Sequence, residues 1–341
     1  MLHMQEPGTG MKQLLDSTSL GEGSAYRGRF APSPTGPLHF GSLLAALASY
    51  ADARAHGGEW LVRIEDLDPP REQPGAAALI LKTLEAYGFE WDGQVWYQST
   101  RGDAYAAVLE SLRTRGLVFP CGCTRAELQL APQGAGGEHV YPGTCRKGVP
   151  AGRRRRAWRL GVGEAQVAFE DLLQGPQQQD LAREVGDFVL RRADGWFAYH
   201  LAVVVDDAAQ GINTIVRGAD LLPSTARQIY LQQVLALATP RYLHIPVATA
   251  ANGEKLSKQT RAAALPLDDP LPSLRAAWAF LEQVTPPPWL GIREFWPWAC
   301  AHWRRAAIPR ALGIRVGEAG FASPPNTAAR EAPVAAGGET V

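Results

Sequence analysis

Arg29-Phe30-Ala31-Pro32-Ser33-Pro34-Thr35-Gly36-Pro37-Leu38-His39-Phe40-Gly41-Ser42 is the stretch from which the rest of the chain can be read. Arg27 to Ala31 reads as a short extended run, and three prolines with Gly36 exclude regular structure through the middle. Beyond it Leu43, Leu44, Leu47, Tyr50 and Ala51 recur at helical spacing, with Ser42 expected to cap the start and Gly57-Gly58 to end the element. Glu59 to Ile64, with Trp60, Leu61, Val62 and Ile64, reads as a second buried strand. Strand, loop, helix and strand make a crossover of the kind that builds parallel sheets. A strand-to-helix turn of this sort is where phosphates bind, because glycines admit a ligand to the backbone and the helix dipole favours negative charge. His39 is placed to donate to a phosphate oxygen, although a Pro-rich loop with a surface histidine as cap fits the same spacing.

Working outward, helices are expected over Pro74 to Tyr87 and Asp103 to Arg115, each stopped by a glycine. Phe119 to Glu184 breaks the pattern. Its three cysteines, Gly134 to Gly137, the arginine run Arg153 to Arg156 and Gln177 to Gln179 mark a loop-rich insert. Alternation returns over Asp187 to Arg192, Trp196 to Val205 and Asn213 to Val216, followed by a helix from about Ser224 to Leu237 and a strand around Tyr242 to Ala248. Leu271 to Leu312 carries Trp278, Phe280, Leu281, Phe295, Trp298 and Trp303 as the anchors of a small helical cap.

The chain has 341 residues, 34 basic and 34 acidic side chains, and is 46% hydrophobic, which describes an ordinary globular protein of roughly two structural units. Zero net charge excludes a diffuse polycation, so a nucleic acid would be held by a local patch. No stretch approaches the ~18 apolar residues of a membrane helix, the start lacks a secretory pattern, and a cytoplasmic location is expected. Cys121, Cys123 and Cys145 cluster while Cys300 lies far off, which favours a metal site over disulfides and leaves reduced thiols as the plainer alternative. Only five of the basic residues are lysines, and two of them stand together in Lys255-Leu256-Ser257-Lys258-Gln259, just past the turn dipeptide Asn252-Gly253. In a chain that otherwise uses arginine, paired ammonium groups on a loop suit a leaving pyrophosphate; a solvated charge pair is the other reading.

The His39-Phe40-Gly41-Ser42 and Lys255-Leu256-Ser257-Lys258-Gln259 segments resemble the HIGH and KMSKS signatures of class I aminoacyl-tRNA synthetases. Leu61-Val62-Arg63-Ile64-Glu65-Asp66-Leu67-Asp68, Ala198-Tyr199-His200-Leu201-Ala202-Val203-Val204-Val205-Asp206-Asp207 and Val216-Arg217-Gly218-Ala219-Asp220-Leu221-Leu222 are similar to the glutamyl branch, in order, from about Arg27 to Ala264. The resemblance implies an α/β fold: a Rossmann-like parallel-sheet catalytic domain split by a zinc-binding insert, with a helical C-terminal cap. The expected divisions are a flexible extension at 1–25, catalytic halves at 26–118 and 185–265, the insert at 119–184, the cap at 266–317 and a disordered tail at 318–341. It also implies a glutamate pocket of Arg29, Ala31, Ser33, Glu65, Tyr199 and Arg217. Glutamate carries two carboxylates and an ammonium, so guanidinium groups and a counter-carboxylate are the right chemistry. His39 and Lys258 are the implied catalytic residues, and His39, Gly41, Ser42, Lys255, Ser257 and Lys258 the implied ATP contacts, with Mg2+ accompanying ATP. His200 departs from the pattern, since relatives often carry asparagine there.

Cys121, Cys123, Cys145 and Tyr141 resemble the structural zinc site of the glutamyl-queuosine branch; His139, a more usual zinc ligand, stays open as the fourth. Little chain follows Lys258, which is the reason to expect this truncated branch. The implied activity is activation of L-glutamate by ATP without tRNA, then transfer to the cyclopentenediol of queuosine in tRNA(Asp), by a monomer with no membrane association. A compact synthetase charging tRNA(Glu), or a catalytically silent adenylate-binding paralogue, are the alternatives. Arg153 to Arg156 are candidates for phosphate contact, or a solvated loop.

Overall fold

The computed structural model describes residues 25–134, 137, 139–154, 156–250 and 263–316. The chain runs β1 (Arg27–Phe30), α1 (Phe40–Ala55), β2 (Glu59–Ile64), α2 (Ala76–Ala86), β3 (Trp96–Tyr97), α3 (Gly102–Thr114), β4 (Val118–Cys121), α4 (Arg125–Gln129), β5 (Ala157–Leu160), β6 (Gln166–Asp171) and β7 (Gly175–Asp180). It continues through α5 (Leu181–Glu184), β8 (Phe188–Arg191), α6 (Tyr199–Ala209), β9 (Thr214–Gly218), α7 (Leu222–Val234), β10 (Arg241–Ile245), β11 (Val247–Thr249), α8 (Leu271–Phe280), α9 (Ile292–His302) and β12 (Gly313–Arg315).

β1, β2 and β3 form one parallel set, with Arg29 opposite Leu61 and Arg63 opposite Trp96. β9, β10 and β6 form a second parallel set, edged by the antiparallel β7. The sets abut at β1 and β9, where the Asn213 amide N–H donates to the Arg27 carbonyl at 3.0 Å and the Arg27 N–H to the Asn213 side-chain oxygen at 3.0 Å. From β1 the chain therefore winds outward to one side and later returns to wind to the other. The crevice beyond the carboxyl ends of β1 and β9 is the switch point at which open α/β sheets bind ligands.

α1 crosses behind this junction and is apolar nearly all round. Phe40, Leu43, Leu44, Leu47 and Tyr50 are buried with Trp60, Val62 and Ile64 of β2 and with Trp278 and Phe295 of the cap helices α8 and α9. Its one buried carboxylate, Asp52, accepts from the Tyr26 hydroxyl at 2.6 Å, the Trp303 indole at 2.9 Å and the Arg305 guanidinium at 2.6 and 2.8 Å. Such charge-assisted bonds fasten the cap to the helix whose other end faces the cleft.

Three local expectations change. His39 rather than Ser42 is the N-cap of α1; Ser42 is the third helical residue and closes a reciprocal capping box with it. Trp196 to Val205 is not strand from end to end: Tyr199–Ala209 is helical, because a buried helix is apolar on all faces and its run of valines mimics a buried strand. Among the described residues, the loop-rich part of the insert falls between 130 and 156; its hairpin β6/β7 belongs to the catalytic sheet through the parallel pairing of Tyr242 with Asp171. β4, β5 and β8 make a small antiparallel sheet beside it. No helix among the described residues is long and apolar enough to cross a membrane. The expected extension and tail lie outside the described residues, except for Ala25 at the edge of the former.

Candidate active site

The switch-point crevice has a volume of about 1060 Å³ and is lined by Arg29, Ala31, Ser33, His39, Gly41 and Ser42 from the first half of the chain, and by Tyr199 and Arg217 from the second, with Glu65 on its floor. Backbone bonds hold the 31–39 loop open around it. The Glu65 N–H donates to the Pro32 carbonyl at 3.0 Å and the Gln73 N–H to that of Pro34 at 3.0 Å. Gly36 turns at φ +136°, where a Cβ would sit 3.3 Å from the Gln73 side-chain oxygen, so the loop needs a glycine both for conformation and for room. At the helix start the Ser42 N–H donates to His39 Nδ1 at 3.4 Å and the Ser42 hydroxyl accepts from the His39 N–H at 2.7 Å. With Nδ1 accepting, the neutral ring carries its proton on Nε2. Lys255, Ser257 and Lys258 lie outside the described residues. The flanks of their segment lie at the cleft, since Val247 and Ala248 line it and Ala264 bridges to His39.

On the β1/β2 side four charged groups interlock. Arg29 grips Asp207 with Nε at 3.1 Å and a terminal nitrogen at 3.3 Å. Arg63, fully buried, donates to Asp207 at 2.7 Å, to the Gln210 side chain at 2.7 Å and to Glu65 at 3.1 Å. Burial works against ionisation of Asp207, but Arg29 and Arg63 together hold its carboxyl below the usual range. For Glu65 burial wins over the same two cations, and its carboxyl is raised. An ammonium arriving beside Glu65 would add a second close cation to Arg63 and favour the ionised carboxylate against its burial.

On the β9/β10 side Arg217, 4% exposed, donates from Nε to His244 Nε2 at 3.0 Å, and from its terminal nitrogens to the Thr225 hydroxyl at 2.9 Å and the Tyr199 hydroxyl at 3.4 Å. Burial raises the Tyr199 phenol, which stays protonated. His200 departs from the cleft: it lines a second cavity of about 460 Å³ that shares Ser33, Glu65 and Tyr199 with the first. Burial and the cations Arg227 and Arg217 push His200 down to about 3, so it is neutral there.

The second cavity reaches the insert. There the Sγ atoms of Cys121, Cys123 and Cys145 all lie within 4.8 Å of one another. The Tyr141 hydroxyl joins them, 3.6 Å from Cys121 Sγ, and accepts the Cys145 N–H at 2.8 Å; the Arg159 guanidinium lies 4.0 Å above its ring. His139 is turned away, its Nδ1 on the Ala131 carbonyl at 2.7 Å and its side chain exposed. Burial and the neighbouring thiols push Cys123 up to about 11, whereas the Cys123 N–H and Arg159 lower Cys121 against its burial. Three converging thiols with a phenol oxygen suit a tetrahedral thiophilic ion. Of the arginine run, Arg153 is paired with Glu127 at 2.6 Å and Arg155 lies outside the described residues.

Residues 25–267 match the family described as the catalytic domain of class I tRNA synthetases for E and Q. The chain is 57% identical over 290 residues to the glutamyl-Q tRNA(Asp) synthetase of Aromatoleum aromaticum, covering 84% of this chain and 91% of that one. Its counterpart in Dechloromonas aromatica is 58% identical over 84% of this chain and 97% of its own, and that of Burkholderia cenocepacia 60% identical over 84% and 98%. The chain belongs to the glutamyl-Q tRNA(Asp) synthetase family. A glutamate-tRNA synthetase of Elizabethkingia anophelis shares the fold, with a TM-score of 0.72 at 23% identity over 87% of this chain and 69% of that one. A glutamate tRNA ligase of Elizabethkingia meningosepticum, solved with its amino acid, gives 0.71 at 23% over 86% and 67%.

For a member of the glutamyl-Q tRNA(Asp) synthetases, several side chains that stand behind the lining of this cleft were given no role from the sequence: Arg63, Asp207, Asp171, Thr225 and His244. One signal was available. Asp206 and Asp207 end the apolar run Leu201 to Val205, and carboxylates in a buried helix demand buried cations. The Asp206 partners are Gln98 at 3.0 Å, Arg101 at 3.0 Å and the Tyr105 hydroxyl at 2.6 Å.

Proposed function

We propose that this chain is an ATP-dependent ligase that activates L-glutamate to glutamyl-adenylate without tRNA and transfers the glutamyl group to the cyclopentenediol of queuosine in tRNA(Asp). The observation that carries this is the convergence, in one cleft, of Arg29, Arg217 and Glu65 with the His39-capped start of α1. Two guanidiniums and one under-compensated carboxylate match two carboxylates and an ammonium, and a helix N-terminus beside them matches phosphate. Glutamate is read as bound by Arg29, Ala31, Ser33, Glu65, Tyr199 and Arg217. Its α-carboxylate oxygen attacks the α-phosphorus of ATP in line, and the bond to pyrophosphate breaks. The Nε2–H of His39 and the Gly41 N–H offset the phosphate charge, while Ser42, at the same helix start, holds the His39 ring in that tautomer. Lys255, Ser257 and Lys258 are assigned to the leaving pyrophosphate by sequence, and Mg2+ enters with ATP.

In the second step a ring hydroxyl of queuosine attacks the glutamyl carbonyl carbon and AMP departs. Zinc is the ion read into Cys121, Cys123, Cys145 and Tyr141, where it would tie the insert's loops together and take no part in the chemistry. One copy of the chain in the cytoplasm suffices for this reading. The test uses tRNA(Asp) trimmed of its 3′-terminal adenosine, with and without queuosine, and labelled glutamate. Label on the queuosine-bearing tRNA alone is expected. Label requiring an intact 3′ end would instead support a compact synthetase charging a terminal ribose.

A further inference from the structure

Behind Arg217 stands a pair of buried groups that the two-step reaction does not use. Asp171 ends β6 and His244 lies on β10; both are shielded from solvent, His244 completely. One Asp171 carboxylate oxygen accepts three backbone N–H groups, of Leu173 at 3.0 Å, Gln174 at 2.8 Å and His244 at 3.2 Å. The other lies 2.6 Å from His244 Nδ1. Those bonds and the imidazole keep the carboxyl ionised against its burial. An ionised carboxylate only accepts, so Nδ1 must be the protonated nitrogen. Burial pushes His244 down to about 4, so the ring is neutral and Nε2 has its lone pair free to accept Arg217 Nε–H at 3.0 Å.

We infer that Asp171 and His244 are positioning residues: by fixing the imidazole tautomer, they aim the Arg217 guanidinium at a carboxylate of the bound amino acid. The relay is directional. With Nδ1 protonated, Nε2 meets the guanidinium as acceptor to donor; with the tautomer reversed, two N–H groups would face each other and Arg217 would be driven off its mark. The Thr225 hydroxyl, 2.9 Å from Arg217 and 3.2 Å from His244 Nε2, braces the same junction.

The inference deepens the proposed function and rests on glutamate being the amino acid activated. Asp171→Asn is nearly isosteric, and three backbone donors will claim its one carbonyl oxygen. Its NH2 then faces His244 Nδ1 and forces the wrong tautomer. In RNA-free ATP–pyrophosphate exchange this variant should raise the KM for glutamate about tenfold or more, the worth of one misdirected charged hydrogen bond, and leave the KM for ATP unchanged. His244→Gln offers an amide oxygen to Arg217 whatever stands at 171. In that background Asp171→Asn should therefore cause no further rise, a non-additivity that pure structural damage does not produce.

An unchanged glutamate KM in Asp171→Asn, or equal losses in both backgrounds, would overturn the relay. Should Asp171→Asn fail to fold, nitrogen-15 spectra of the wild-type chain decide instead, with the His244 signals identified by their loss in His244→Gln. An Nδ1-protonated ring supports the relay, and an Nε2-protonated or doubly protonated ring overturns it. Wild-type enzyme showing no glutamate-dependent exchange would defeat the proposed function itself, while the tautomer measurement would still stand on its own.

Discussion

At the charged walls of the cleft the chain supplies partners for its own charges: Arg29 and Arg63 share Asp207, and Arg217 leans on His244, Thr225 and Tyr199. In the insert, Cys121 and Cys145 are buried with Tyr141 in a small cluster of their own, and the partners of the three thiols include one another, the Tyr141 hydroxyl and the Gly122 N–H. The first region is set by the protein itself, because ion pairs hold Arg29 and Arg63 and neutral hydrogen-bond partners hold Arg217. The second has only a small apolar cluster, and three thiols at that spacing could hold an ion from outside. On the proposed function, the comparison implies that loss of glutamate activation and loss of glutamyl transfer can be separated.

The largest expected effect comes from breaking the self-satisfied side. Asp207→Ala removes the carboxylate shared by two buried guanidiniums, leaving Arg63 only Glu65 and Gln210, and should cost about 3–5 kcal/mol of folding stability, read by chemical denaturation, along with glutamate-dependent exchange. Next, Arg217→Ala should lower kcat/KM for glutamate in exchange about 100-fold while the thermal midpoint changes little. On the other side, Cys145→Ser or stripping metal with a chelator should reduce glutamate transfer to tRNA about tenfold or more and leave RNA-free exchange near wild type. Equal loss of both activities would erase the comparison.

Two smaller effects sharpen it. Burial raises the Glu65 carboxyl against the pull of Arg63 and Arg29, so it takes up a proton at higher pH than an ordinary glutamate. Protonated Glu65 no longer attracts an ammonium. The KM for glutamate should therefore be flat above that raised pKa and climb as the pH falls through it, by up to about tenfold per pH unit, with the KM for ATP steady. Least of all, Gly36→Ala forces a side chain into φ +136° and against Gln73, and should cost about 1–3 kcal/mol of stability with a modest rise in the KM for ATP.

The crossover from β1 through α1 to β2 was legible because each element announces itself: prolines and Gly36 bar structure from the loop, and the leucines of α1 keep helical spacing. α6 was hidden by its burial, since an apolar run on every face has no period to betray a helix. The cleft's outer residues could be named from motif order, but their supports could not. Nothing in spacing joins Arg29 to Asp207 or Asp171 to His244, because those contacts are made by the fold, between a strand and a helix in the first case and two strands in the second, all far apart in the chain. The thiol cluster was readable as a triplet, and only the fold distinguishes Tyr141, turned in, from His139, turned out.

The most direct measurement is ATP–pyrophosphate exchange by the full chain in the absence of any RNA, with glutamate, glutamine and aspartate compared. A cleft whose charges are preset by the protein predicts exchange with glutamate alone, at a rate that added tRNA does not raise. Exchange that appears only with tRNA, or that is as fast with glutamine as with glutamate, would contradict the account.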